Sequence, residues 1–114
     1  MHDVSVIVFP AANLDAAKRF FRELTGVDPY VDSPQYVGYK SGDLEVGLDP
    51  SGGTYGPGGI PFWNVPDIAA SMKALVAAGG SVVQEATDVG YGLLVARLKD
   101  PTGSLVGLRQ WPKG

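Results

Sequence analysis

The chain contains no cysteine. Disulfides, thiol nucleophiles and thiolate metal sites are therefore excluded. Histidine is nearly absent as well: the only one is His2, beside the N-terminus. No cluster of lysine and arginine is present to neutralise a phosphate backbone, so no nucleic-acid partner is expected. No apolar run approaches the roughly 20 residues that span a bilayer, so no membrane partner is expected either. Met1-His2-Asp3 lacks the basic opening of a secretory signal, and a cytoplasmic location is the expectation. Net charge is −3. Such mild acidity favours solubility and tolerates cationic ligands better than anionic ones.

Glycine and an internal repeat dominate what remains. Asn13-Leu14-Asp15-Ala16-Ala17 opens one helical pattern, and Asp67-Ile68-Ala69-Ala70-Ser71 opens another 54 residues later. An apolar strand-like run precedes each, and glycine follows each, Gly26 in the first copy and Gly79-Gly80 in the second. Asp49 to Gly59 holds five glycines and two prolines, which reads as a linker. The 114 residues divide into a first module over 1–50, a linker over 51–59 and a second module over 60–114. Halves of about 50 residues are marginal alone, so they are expected to share one domain or to pair with a second chain. The Gly-rich linker has no GK[ST] ending and opens no helix, so it is a poor phosphate loop.

Local patterns fill in each module. Val4–Phe9 is β-branched and aromatic and reads as a strand. Asn13 is a suitable N-cap, and Leu14, Ala17, Phe20, Phe21 and Leu24 make an apolar helical stripe. Strands follow around 29–32, 36–40 and 44–48, the last two joined by a turn at Ser41-Gly42-Asp43. In the second module a strand over 60–65 precedes a helix capped by Asp67, with Ile68, Met72, Leu75 and Val76 as its stripe. Strands over 81–84, 92–98 and 105–111 complete the copy. Asp100-Pro101-Thr102-Gly103 is a turn, with proline presetting φ and glycine supplying a positive one.

The two helix segments, Tyr91-Gly92 and the Asp100-Pro101-Thr102-Gly103-Ser104 turn occur in an order that resembles the vicinal oxygen chelate superfamily. This is the superfamily of glyoxalases, bleomycin-resistance proteins and extradiol dioxygenases. The likeness runs over nearly the whole chain. It implies an α+β fold of two βαβββ modules, whose curved mixed sheet surrounds a cleft while helices cover the outer face. It also implies a metal position built from the first and last strands of each module. In this chain Val6, Ile60 and Gly107 fall at three of those positions, and Glu45 alone offers a carboxylate. Aliphatic side chains and hydrogen cannot ligate a divalent ion. No metal and no other cofactor is expected, unless a register slip brings His2 into play. The metal-free relatives sequester a cationic drug in an apolar cleft, often as dimers. The expected partners are accordingly a small molecule and a second copy of the chain in a homodimer.

Strand parity selects the cleft face. Ile7, Phe9, Leu44, Val46, Leu48, Trp63, Val65, Val106 and Leu108 should face the helices. The opposite parity assigns Val6, Val8, Glu45, Gly47, Asp49, Phe62, Asn64, Leu105, Gly107 and Arg109 to the cleft, joined by Tyr36 or Tyr39. Such a surface, mostly apolar with a few polar handles, suits a small-molecule pocket. Glu45 is the one candidate for a catalytic base, because an apolar setting raises a carboxyl's pKa. Its structural alternative is an ion pair with Arg109. Phe62 either stacks on a ligand or plugs the cleft, and Asp49 either meets a ligand or caps the linker turn. Gly47 and Gly107 either leave room for a flat ligand or mark a bend. Trp111 suits a dimer contact better than a ligand. Three functions follow as expectations: a metal-free binding protein for a partly aromatic molecule, a lyase or isomerase using Glu45, and a non-catalytic dimer with a closed cleft.

Overall fold

The computed structural model describes residues 3–51 and 55–113. His2 and residues 52–54 of the linker lie outside the described residues. The described residues divide into two compact units, one over 5–60 and one over 3–4 with 61–113. The boundary differs from the sequence reading in two ways. Asp3 and Val4 belong with the second unit, where the Asp3 carbonyl accepts from Asn64 N–H. The end of the linker belongs with the first unit, where Gly59 lies against the Ile7 and Phe9 side chains so closely that a Cβ would collide with both.

The first unit runs β1 (Val4–Pro10), α1 (Leu14–Thr25), β2 (Val31–Asp32), β3 (Val37–Ser41) and β4 (Leu44–Asp49). Its strands lie in the order β2-β3-β4-β1, with β1 parallel to β4 and the other pairs antiparallel. The second unit repeats this as β5 (Ile60–Asn64), α2 (Ile68–Ala77), β6 (Ser81–Asp88), β7 (Leu94–Lys99) and β8 (Leu105–Gln110). Its order is β5-β8-β7-β6, with β5 parallel to β8 and the rest antiparallel. These are two βαβββ modules of an α+β fold, as the repeat implies. In each, the parallel pair needs a long crossover, and the helix supplies it.

Both helices begin where their caps predict. The Asn13 side chain accepts from Ala16 N–H and the Asp67 carboxylate from Ala70 N–H, each at 3.1 Å. Gly26, at φ 74°, ends α1 in the left-handed region that a side chain avoids. Under α1 lie Ala11, Val37, Tyr39 and Leu48, with Phe9, Leu14, Ala17, Phe21 and Val46 around them. Under α2 lie Val65, Ile68, Met72, Ala96, Leu98 and Leu108, with Trp63, Leu94 and Val106 beside them. Strand parity was thus read correctly for Phe9, Val46, Leu48, Trp63, Val65, Val106 and Leu108. The strand expected at 81–84 extends to Asp88, and its pairing with β7 shifts register twice, between Val82 and Gln84 and between Gln84 and Thr87. The Asp100 turn forms: its carboxylate accepts from the N–H groups of Thr102 and Ser104 and from the Thr102 hydroxyl. These bonds, that from Ser104 foremost, hold the carboxyl below its ordinary pKa.

Candidate functional site

In the first unit, the sheet face turned away from α1 carries a carboxylate held by two phenols. Glu45 comes from the start of β4, opposite Val6 on β1 and Lys40 on β3. Directly paired strand residues point to the same face. The Tyr30 hydroxyl donates to Glu45 Oε1 and the Tyr36 hydroxyl donates to Oε2. Both oxygens of a half-buried acid are therefore engaged by neutral donors. The Lys40 ammonium lies 4.8 Å from the centre of the Tyr30 ring, a cation–π distance.

Tyr36 occupies the space beside Gly47. A Cβ at residue 47 would run into the Tyr36 ring and its hydroxyl, and one at Gly38 would press on the Glu45 carboxylate at 3.1 Å. The two glycines thus seat the phenol and the carboxylate in their places. The room expected at Gly47 for a flat ligand is filled by the protein's own ring. Val8 pairs with Gly47 on the same face.

The second unit places Phe62 opposite Gly107. A Cβ at residue 107 would meet the Phe62 ring, so here too the glycine's space is taken from within. Phe62 is buried. Arg97, paired with Gly107 from the β7 side, lays its guanidinium 5.1 Å from the Phe62 centroid and donates from Nη1 to Gln84 Oε1. Arg109 stacks on Trp111 at 4.9 Å, and its strand partner Asn64 is exposed. Leu105 is half-buried at the start of β8.

Several expected site residues have other tasks. Tyr39 does not join the helix-free face: it is fully buried under α1, and its hydroxyl donates to the Lys18 carbonyl at 3.1 Å. The cause is parity, since Tyr39 pairs with the helix-facing Val46. Burial pushes its phenol above the ordinary value. Asp49 caps the linker turn, accepting from Ser51 N–H at 2.9 Å and from the Ser51 hydroxyl at 2.6 Å. Glu45 is held by tyrosines where an Arg109 pair was the alternative. Tyr30, Lys40, Gln84 and Arg97 were not singled out from the sequence. Arg97 was legible: in Leu94–Lys99 it alternates with the buried Ala96 and Leu98. Tyr30 carried no such signal, because it sits before a strand of only two residues.

The metal position of the resembled family can be tested on these donors. Val6 and Ile60 are aliphatic, Gly107 has no side chain, and Glu45 has both oxygens committed to phenols. Among the described residues no group of three or more His, Asp or Glu could hold a metal ion. This donor set does not fit a divalent cation.

Two βαβββ modules, each presenting aromatic and charged side chains on its helix-free face, define a known class of α+β proteins. A model of the Glyoxalase/Bleomycin resistance protein/Dioxygenase superfamily matches residues 4–108, and the chain belongs to that family. CFP32 of Mycobacterium tuberculosis, provisionally named a glyoxylase, is 33% identical over 106 residues, covering 83% of this chain and 40% of that protein. The chain thus spans about two fifths of the length of the curated relatives it matches. The hypothetical protein BH1468 from Bacillus halodurans has a TM-score of 0.77 at 15% identity, over 99% of this chain and 96% of that one. Methylmalonyl-CoA epimerase from Mycobacterium tuberculosis has a TM-score of 0.68 at 19% identity, over 96% of this chain and 88% of that one. At these identities the likeness is one of fold.

Proposed function

We propose that this chain is a metal-independent binding protein of the glyoxalase and bleomycin-resistance type. Its ligand is a small, partly aromatic molecule, with cationic ones favoured. The observation that carries this reading is the Glu45 carboxylate clasped by Tyr30 and Tyr36. A carboxylate so engaged offers a fixed negative charge edged by π faces, which suits an organic cation better than a metal ion. Tyr30 already accepts the Lys40 ammonium on its face. Native mass spectrometry checks the proposal, with and without zinc, nickel or manganese. The expected result is a protein mass unchanged by metal, with any co-purified mass being organic. Stoichiometric uptake of one metal ion per chain overturns it.

The same clasp favours a second reading, a lyase or isomerase in which Glu45 is the general base. Two hydrogen bonds orient the carboxylate, and a positioned base acts only within hydrogen-bond reach of the proton it takes. A survey of small carbonyl and thioester substrates tests it. If turnover is found, Glu45→Gln should lower kcat by about 10²- to 10⁴-fold and leave ligand affinity nearly unchanged. Full activity in that variant removes Glu45 from the chemistry. A homodimer in a cytoplasmic setting belongs to the same proposal.

A further inference from the structure

We infer that the groove between α2 and the sheet of the second unit is a binding site for a small apolar aromatic molecule. This goes beyond the proposed function, which rests on the helix-free faces. The groove encloses about 500 Å³ and lies between Ser71, Ala74, Leu75 and Ala78 of α2 and, on the sheet, Trp63 and Leu98 among others. That volume lies in the range of small-molecule pockets, about 300–1,000 Å³.

The first unit shows what fills the corresponding place. The N-caps Asn13 and Asp67 align the two helices, so Phe20, Phe21 and Leu24 of α1 correspond to Ala74, Leu75 and Ala78 of α2. Tyr39 pairs with Val46, the residue before Gly47, and Leu98 pairs with Val106, the residue before Gly107. Tyr39 therefore corresponds to Leu98. Under α1 the Tyr39 ring is fully buried, and Phe21 packs on Phe9 with centroids 5.0 Å apart. The second unit has Leu75 and Leu98 in place of those two rings and Ala96 in place of Val37, set against Trp63 in place of Phe9, Met72 in place of Lys18 and Val65 in place of Ala11. Leu75 is left 38% exposed at the edge of the resulting space. The occupant is thus given by the protein's own second copy of the same architecture: a planar apolar ring, lying on Trp63 and Leu98 beneath the helix. At the rim the Asp100 carboxylate is committed to its own turn and Lys99 is exposed, so shape and apolar contact select the ligand.

Indole is the probe. Methyl NMR of the full chain during an indole titration should show saturable shifts confined to the methyl groups that line the groove, on α2 (Ala74, Leu75, Ala78) and on the sheet (Leu98, Val106, Leu108). Two variants refill the groove. Leu75→Phe with Leu98→Tyr reproduces the Phe21 and Tyr39 rings found under α1, and Ser71→Leu blocks the other part of the helix wall. Each should weaken indole binding roughly tenfold or more while melting at or above the wild-type temperature. If the double variant melts lower, the Ser71→Leu titration decides. Absence of saturable shifts up to the solubility of indole overturns the inference. So does unchanged affinity in both refilled variants. A dimer that dissociates when the groove is refilled would also overturn it, because the occupant would then be a second copy of the chain.

Discussion

Tyr39 shows how one residue's position in a strand decides its role. It is aromatic and sits in the strand that also follows Tyr36, so composition alone assigns it to the ligand face. Parity places it under α1, and its hydroxyl bonds the Lys18 carbonyl. Replacing it by Phe keeps the ring and removes that bond, at a cost of about 1 kcal/mol in denaturant unfolding. The pH dependence should change too. Burial raises the phenol above its ordinary value near 10. Its contribution is therefore fully present below that value and is lost as pH rises through the folded-state pKa, because the unfolded chain gives up the proton first. Tyr39→Phe should narrow its stability deficit against wild type above about pH 10. A deficit constant from pH 7 to 11 would contradict this assignment. Glycine is the other informative residue type. Gly47 and Gly107 invite a flat ligand when read along the strand. In the folded chain, Tyr36 and Phe62 lie where their side chains would have been.

At the scale of elements, caps and turns were the most legible features, because they act within four residues. The Asn13 and Asp67 caps and the Asp100 turn need only local chain geometry, and each forms. The start of α2 gains a further partner that no local pattern announces: Gln110 of β8 accepts from Ile68 N–H at 2.8 Å. Asp67→Ala should still cost about 1 kcal/mol, since Gln110 satisfies a different N–H. Thermal unfolding of this variant alone and with Gln110→Ala measures both contributions. A combined loss no larger than that of Asp67→Ala would show that Gln110 contributes nothing. Strand ends were read less well than helix starts. The continuation of β6 to Asp88 crosses a register shift between Gln84 and Thr87, and bulges break the period-2 pattern from which strands are recognised.

For the whole molecule, the repeat decides the architecture and departures from it decide the chemistry. The first unit fills the space under its helix with rings and clasps Glu45 on the opposite face. The second unit leaves a groove beside its helix and sets Arg97 against Phe62. Large apolar side chains are exposed on both, among them Phe20, Leu24, Val76, Tyr91 and Trp111. A homodimer would cover part of this surface, since association removes apolar area from water. Sedimentation at micromolar concentration should give twice the chain mass, and a monomer throughout would refute the dimer. No helix among the described residues is long and apolar enough to cross a membrane.

The amino-acid order by itself determined the duplicated βαβββ plan, the helix caps, most of the buried face of each sheet and the absence of thiol chemistry. All of these depend on residue type and short-range periodicity, which the chain carries before it folds. Tertiary structure decided which phenols reach Glu45, that Tyr39 lies under a helix, and that the rings of Tyr36 and Phe62 take the space left by glycines. It also decided that a groove remains under α2. Those outcomes depend on side chains brought together across strands from distant positions, and on volume left over after packing. Neither quantity has a signature in any stretch of the sequence taken alone.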